Sequence, residues 1–519
     1  MADRAQPLSL DGAGRVVAAA LLVLILGALV AVANVGSSLP RFGPSDWAAL
    51  RFTVLQASLS ALISITMAIP LARALIRRRF PMRSLAITLL GAPFLLPVLV
   101  AVLGVLAVFG RNGILSQGLV ALGLPAIEIY GLQGVVLTHV FFNLPLATRL
   151  ILQGWLAIPA EQIRLGQSLG FSPRDIARHL ERPVLLAVLP GAFLVVFLIC
   201  TTSFAVALTM GGGPRATTLE LAIYQAFRFD FDLSRAAALG AVQVLLCALA
   251  VLAIRAVPRA PDGFGGLDAL QPRFESGGWI VRVQDVLMLI IGMGFLVFPI
   301  VMIILNGLPF LFDLPGMIWL SALRSIAVAL LSVLVLLACA IPLATALSRS
   351  TSGWVHLAAA LPIAISPLVL GLGAFVVLRP FVDPASIVLP LTALVNAMMS
   401  LPFVLRSLVP ELQQIETHHG RLGVALGMSR KDWVGLILLP RLRRPLGFGA
   451  GLTAALSMGD LGVVALFANP ERGTLPLAIY QLMGSYQMDR AAGAALVLMV
   501  LTLAIFWVFD RGGRLHADA

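Results

Sequence analysis

Charge is what this sequence has least of. Only 12% of its 519 residues are Asp, Glu, Lys or Arg, against roughly 25% in a soluble domain, which excludes an ordinary water-soluble fold. Lysine is almost missing: Lys431 stands alone, between Arg430 and Asp432. A phosphate-cradling loop needs Gly-Lys-Ser/Thr, so the chain carries no ATP site of that kind. Cysteine is scarce too. Cys200, Cys247 and Cys339 lie within apolar runs, at spacings that suit neither a disulfide framework nor a metal site. They read as small packing residues. With no His-x-x-x-His, paired cytoplasmic carboxylates or nucleophile elbow, no catalytic and no metal-ligating set is assigned. The net charge of +12 comes without an aromatic-interleaved basic domain, which argues against nucleic acid as a partner.

What is abundant is apolar sequence, at 60% of residues and a mean hydropathy of +1.00. Several runs reach the ~20 residues that a helix needs to cross a bilayer, whereas a spanning barrel would show short alternating segments. The expectation is an all-α polytopic membrane protein. Twelve transmembrane helices are placed near 16–35, 52–75, 84–109, 133–156, 184–210, 236–254, 284–305, 321–347, 354–378, 386–408, 445–468 and 491–509. The first follows Arg15 and exceeds the apolar stretch of a secretory signal, so it is read as uncleaved. If the N-terminus is cytoplasmic, most of the 36 basic residues fall in inner segments. The positive-inside rule therefore puts both termini in the cytoplasm, with lipid around the helices.

The chain is also written twice. ALR at 49–51 and AIPLA at 68–72 return as ALR at 322–324 and AIPLA at 340–344, and HVFFNLPLATR at 139–149 aligns with NAMMSLPFVLR at 396–406. TLELAIYQ at 218–225 returns as TLPLAIYQ at 474–481. Residues 1–254 and 284–519 thus read as two six-helix halves joined by a Pro-, Gly- and Arg-rich cytoplasmic linker at 255–283. An even number of helices makes the two repeats parallel, related by an axis along the membrane normal, with a pathway expected between them.

The most polar repeated stretch is RLGQSLGFSPRDI at 164–176 and RLGVALGMSRKDW at 421–433. Both copies fall in cytoplasmic loops, about 157–183 and 409–440. Gly170 and Gly427 suit the left-handed end of a first short helix. Ser172 and Ser429 follow as N-caps, with Asp175 and Asp432 three residues on, and Pro173 takes the first helical position. A second helix then runs to Pro183 or Pro440. Two such capped turns in matching places are expected to be docking knobs for a partner of matching two-fold symmetry.

This Gly-x-Ser-Pro pattern, with a proline at that distance, resembles the cytoplasmic EAA loop of bacterial ABC importer permeases. HVFFNLPLATR, GGGPRATTLELAIYQAF at 211–227 and SMGDLGVVALF at 457–467 extend the likeness, being similar to permeases of the thiamine or thiamine pyrophosphate importer family, to which fused ferric iron permeases are related. The resemblance implies the type I importer permease (MetI-like) fold in the bacterial inner membrane. It implies two copies of an ATP-binding subunit, which would bind ATP and Mg, seated on the loops at 157–183 and 409–440. It also implies a periplasmic substrate-binding protein and alternating access. The chain departs from the family's Glu-Ala-Ala opening: Arg164-Leu165-Gly166 and Arg421-Leu422-Gly423 stand there instead.

Polar groups inside the apolar runs complete the reading. His139, Asn143 and Asn396 are expected to bridge helices. Asp460 lies within 445–468, where a mid-bilayer carboxylate costs about 3 kcal/mol, and its counterpart is Ser203. Asp460 and Ser203 are carried as candidates for the pathway, the other reading of Asp460 being a bond to neighbouring backbone or hydroxyl. Tyr224 and Tyr480, at matching places on the outer side, are candidates for an outer gate or binding-protein contact, against plain interfacial packing. Two rival functions stay open: the same importer for ferric iron or another small solute, and an ion-coupled secondary transporter, which would need more intramembrane ionisable groups.

Overall fold

The computed structural model describes residues 11–34, 42–78, 80–256, 278–349, 352–467 and 473–514. Residues 257–277 of the expected linker lie outside the described residues. All regular structure among the described residues is helical. The first half comprises α1 (Asp11–Asn34), α2 (Pro44–Arg77), α3 (Arg83–Leu89), α4 (Ala92–Leu95), α5 (Val98–Phe109), α6 (Ile114–Ala121), α7 (Leu132–Leu156), α8 (Ala160–Ser168), α9 (Pro173–Ile176), α10 (Arg182–Thr201), α11 (Phe204–Met210), α12 (Leu219–Arg228) and α13 (Leu233–Ala256). The second comprises α14 (Trp279–Gly307), α15 (Gly316–Arg349), α16 (Gly353–Ala360), α17 (Pro367–Leu378), α18 (Pro384–Ala425), α19 (Arg430–Asp432), α20 (Leu439–Met458), α21 (Gly462–Phe467), α22 (Leu475–Gly484) and α23 (Met488–Arg514). Eleven helices among the described residues are long and apolar enough to span a bilayer, and a twelfth span is a pair bent by 104°, Gly353–Ala364 with Pro367–Leu378. The chain is a multi-pass membrane protein.

Four of the expected straight spans are broken. The stretch 84–109 is interrupted before α4 and again at Leu96–Pro97, and 354–378 bends at Ile365–Ser366 before Pro367. Proline lacks the N–H that would continue the ladder and disfavours helical geometry in the residue before it. The stretches 184–210 and 445–468 break at Thr202–Ser203 and Gly459–Leu461. No proline marks these two, and their breaks face other helices instead. Helical periodicity averages over such interruptions, so apolar length alone could not find them.

The halves are interlocked. Each leading helix crosses to the other half: α1 packs on α15 and α17, while α14 packs on α2 and α5 as well as on α23 of its own half. Both crossings pass over a glycine. A Cβ on Gly373 would sit 2.5 Å from the Ala28 carbonyl oxygen, and one on Gly104 would sit 2.7 Å from that of Pro299. Close backbone approach at small residues is how membrane helices gain contact without a hydrophobic driving force between them. At the end of α2 near the loop face, Arg78 Nε donates to Asp285 Oδ2 of α14 at 2.6 Å. Arg235 of α13 reaches Asp46 of α2 at 2.8 Å at the opposite end.

Candidate translocation centre and coupling loops

The repeated loops have the geometry their sequence implies. Gly170 and Gly427 adopt φ of 76° and 61°. The Phe171 N–H donates to the Gly166 carbonyl at 2.9 Å, and the Met428 N–H to that of Gly423 at 3.1 Å. These are the six-to-one bonds that close a helix through a left-handed residue. Beyond the turn, the Ser172 hydroxyl and N–H donate to Asp175 Oδ2 at 2.6 and 3.0 Å, and the Asp175 N–H donates back to Ser172 Oγ at 3.3 Å. In the second copy the Ser429 hydroxyl donates to Asp432 Oδ2 at 2.5 Å, and the Asp432 N–H returns to Ser429 Oγ at 3.3 Å. The first is a reciprocal capping box, while in the second the serine caps the aspartate N–H and the aspartate holds only the serine hydroxyl.

The glycines at the departure from Glu-Ala-Ala now have a reason. A Cβ on Gly423 would lie 2.6 Å from the Trp433 ring, and one on Gly166 would lie 3.2 Å from the Phe171 ring. Each glycine is the floor on which an aromatic residue of its own loop rests. Leu165, Leu169, Leu422, Val424 and Leu426 stay more than half exposed or close to it, at 50–67%. Arg164 points to solvent.

Two details differ from the expected helix–turn–helix. The second helix does not stop at the proline. A π-helical turn, Ala177–Glu181 or Trp433–Leu438, carries it straight into α10 or α20. Pro183 and Pro440 have no N–H to offer the preceding turn, and the wider π turn absorbs that loss. The approach to the turn also differs between halves. In the first, α7 ends at Leu156 and α8 restarts at Ala160; in the second, α18 runs unbroken for 42 residues through Pro402 and Pro410 into the loop. Glu181 ties the first loop to α2, accepting from Arg73 at 3.1 Å, while Arg349 pairs with Glu416 at 2.8 Å in the second.

The polar residues of the membrane interior bridge helices at matching places in both halves. His139 Nδ1 is 2.9 Å from Gln56 Oε1, Gln56 Nε2 donates to the Cys200 carbonyl at 3.0 Å, and Asn143 Nδ2 reaches Cys200 Sγ at 3.3 Å. In the second half, Asn396 Nδ2 donates to Ser457 Oγ at 3.1 Å, and Ser457 Oγ lies 2.8 Å from Ser332 Oγ. In the repeat register Ser60, His139 and Cys200 correspond to Ser332, Asn396 and Ser457. His139, Asn143 and Asn396 join helices, as expected, and Cys200 is part of that join.

At the break beside Asp460 the two halves meet. Gly459, next to Asp460, lies so close to Pro97 that a Cβ would be 3.0 Å from its Cα. Asp460 Oδ1 accepts from the Gly462 N–H at 3.2 Å, while Oδ2 is buried without a hydrogen-bond partner. Ser203 occupies the matching place before α11. Asp460 therefore sits where helical backbone is interrupted, beside the other half, rather than within a continuous helix. Discontinuous helices at the repeat interface are where transporters place polar backbone and ligand groups.

One acidic residue escaped the sequence reading. Glu220 on α12 is fully buried and accepts from Gln243 Nε2 at 3.3 Å, while its Oε2 is buried without a hydrogen-bond partner. Its repeat partner is Pro476, and that acid-for-proline exchange inside TLELAIYQ was the available signal. On the same helix Tyr224 is buried against Phe204, 5.1 Å between ring centres. Burial raises the Tyr224 phenol above its ordinary value. Tyr224 and Tyr480 both lie on the face opposite the paired loops, because α10 and α20 start at the loops and cross before α12 and α22 begin.

No family model matches the chain. Curated relatives match nearly all of it. The thiamine transport system permease protein ThiP of Brucella abortus is 38% identical, over 99% of this chain and 97% of the relative. Those of Salmonella typhimurium and Escherichia coli K12 are each 36% identical, over 91% and 90% of this chain. The chain belongs to the thiamine transport permease family. As a permease it is the membrane subunit of an ABC importer and not itself an enzyme. The segments that the sequence reading compared with that family, 139–149, 211–227 and 457–467, form α7, the approach to α12, and the break at Asp460.

Proposed function

We propose that this permease carries thiamine or its pyrophosphate inward across the bacterial inner membrane, with both termini and the paired loops on the cytoplasmic side. The observation that carries the substrate is the near full-length similarity to relatives named for thiamine transport. A separate ATPase, in two copies to match the two loops, would bind ATP and Mg and hold the exposed leucines around Gly170 and Gly427. A periplasmic binding protein would deliver ligand near α12 and α22. ATP-driven approach of the ATPase subunits moves both loops. Because α10 and α20 continue from them without a joint, the motion passes to the breaks at Ser203 and Asp460.

The test is reconstitution. Permease, ATPase and binding protein in proteoliposomes are expected to accumulate labelled thiamine and no ferric iron, and deletion of Gly170–Asp175 is expected to abolish uptake. Ferric iron uptake, or a loop deletion that leaves transport intact, would overturn the reading.

A further inference from the structure

On the face opposite the loops, a chamber of about 450 Å³ opens at the seam between the halves. Its inner end is aromatic. Phe227 of α12 meets Phe375 of α17 edge-on at 5.0 Å and Phe467 of α21 at 5.4 Å, while Phe375 and Phe467 stack at 5.3 Å with 10° between their planes. One ring comes from the first half and two from the second, so any rocking of the halves must part Phe227 from the other two. The outer wall carries two guanidinium groups. Arg228 adjoins Phe227, and Arg379 lies over the Phe375 ring at 5.9 Å. Asp383 adds one acid, leaving the wall net positive.

The internal duplication supplies a comparison. In the repeat register Phe227, Phe467 and Phe375 correspond to Met483, Met210 and Val105, and Arg228 corresponds to Gly484. The same backbone is thus built on the other side of the pseudo-axis without these aromatic rings and without that arginine. Packing at these positions does not require them. An asymmetric wall suits an asymmetric ligand, and the volume falls within the ~300–1,000 Å³ usual for small-molecule sites.

We propose that this chamber is a ligand-selecting site: Phe227, Phe375 and Phe467 close the pathway as a plug and stack on a planar heterocycle, while Arg228 and Arg379 hold a phosphate group that it bears. Aromatic faces favour offset stacking, and arginine's planar fork matches phosphate oxygens. The proposal rests on the thiamine reading and assigns the residues that tell the phosphate ester from the free alcohol.

The experiment compares labelled thiamine with labelled thiamine pyrophosphate in the reconstituted complex. In the Arg228→Gln/Arg379→Gln variant the ratio of pyrophosphate uptake to thiamine uptake is expected to fall about tenfold, the scale of one lost charge-assisted contact. Arg228→Lys/Arg379→Lys is expected to restore part of that ratio. In Phe227→Met/Phe467→Met, which installs the residues of the other half, ATPase activity without ligand is expected to rise as the plug loosens. An unchanged ratio in the glutamine variant overturns the phosphate role, and unchanged basal ATPase activity overturns the plug. Wild-type complex that moves neither compound overturns the thiamine reading instead.

Discussion

The side-chain oxygen of Thr53 accepts the first backbone N–H of α12, that of Leu219, at 2.8 Å, and Ser325 does the same for Leu475 at the start of α22, also at 2.8 Å. Both hydroxyls are buried. The short helices bearing Tyr224 and Tyr480 are therefore pinned at their inner ends to the long helices α2 and α15. An N-terminal N–H has no partner inside its own helix, so the hydroxyl is its sole replacement for water. Thr53→Val and Ser325→Ala are each expected to destabilise the protein by about 1–3 kcal/mol, the cost of a buried unsatisfied donor. Thermal unfolding in detergent measures this, and the two sites, in different halves, should add to within about 0.5 kcal/mol.

The loops give a second prediction, in which two equivalent glycines behave differently. At Gly423 an added methyl would strike the buried Trp433 ring at 2.6 Å, whereas at Gly166 it would meet the half-exposed Phe171 ring at 3.2 Å. Trp433 has no free space to retreat into, and overpacking of this kind costs about 1–3 kcal/mol. Gly423→Ala is expected to displace Trp433 and reduce ATPase co-purification severalfold. Gly166→Ala should stay near wild type. Intrinsic tryptophan fluorescence and pull-down stoichiometry distinguish the two, and equal behaviour would refute the packing account.

How much of this was legible in the sequence follows from the range of the interactions involved. Gly170, Ser172 and Asp175 act within six residues, so their turn could be read from spacing alone, as could its copy at Gly427, Ser429 and Asp432. The duplication was legible for the same reason, since it is written in matching letters. The breaks at Ser203 and Asp460 were not. At the second of them Gly459 needs Pro97, more than three hundred residues away, and no local letter marks either one. Glu220 was hidden because its partner Gln243 lies on another helix. The aromatic plug unites Phe227, Phe375 and Phe467, which no window along the chain contains together.

The crossing of the leading helices yields a third prediction. Gly373 meets the α1 backbone at Ala28, and Gly104 meets the α14 backbone at Pro299, each at 2.5–2.7 Å for an added Cβ. The obstacle is main chain, which cannot rotate away as a side chain can. Gly373→Val and Gly104→Val are expected to push the crossing helix off the opposite half and to lower the melting temperature by several degrees, corresponding to about 1–3 kcal/mol. Gly27→Val, on α1 where nothing lies within 4 Å, is the control and should leave the melting temperature unchanged.

Asp460 gives the last prediction. One oxygen holds the Gly462 N–H at the start of α21, and the other is buried without a hydrogen-bond partner at the seam with the first half. If the acid served only to start α21, asparagine would replace it, since its carbonyl oxygen accepts from the same N–H. If the negative charge faces a cationic ligand in the pathway, asparagine fails, because it keeps the acceptor and removes the charge. Asp460→Asn is expected to keep assembly and basal ATPase coupling but to reduce thiamine uptake and thiamine-stimulated ATPase activity by about tenfold, the scale of a charge-assisted contact. Ser203→Ala, at the matching break with no charge to lose, should lower uptake by less than about threefold. Full uptake by Asp460→Asn would leave the residue with the capping role alone and would remove it from the pathway.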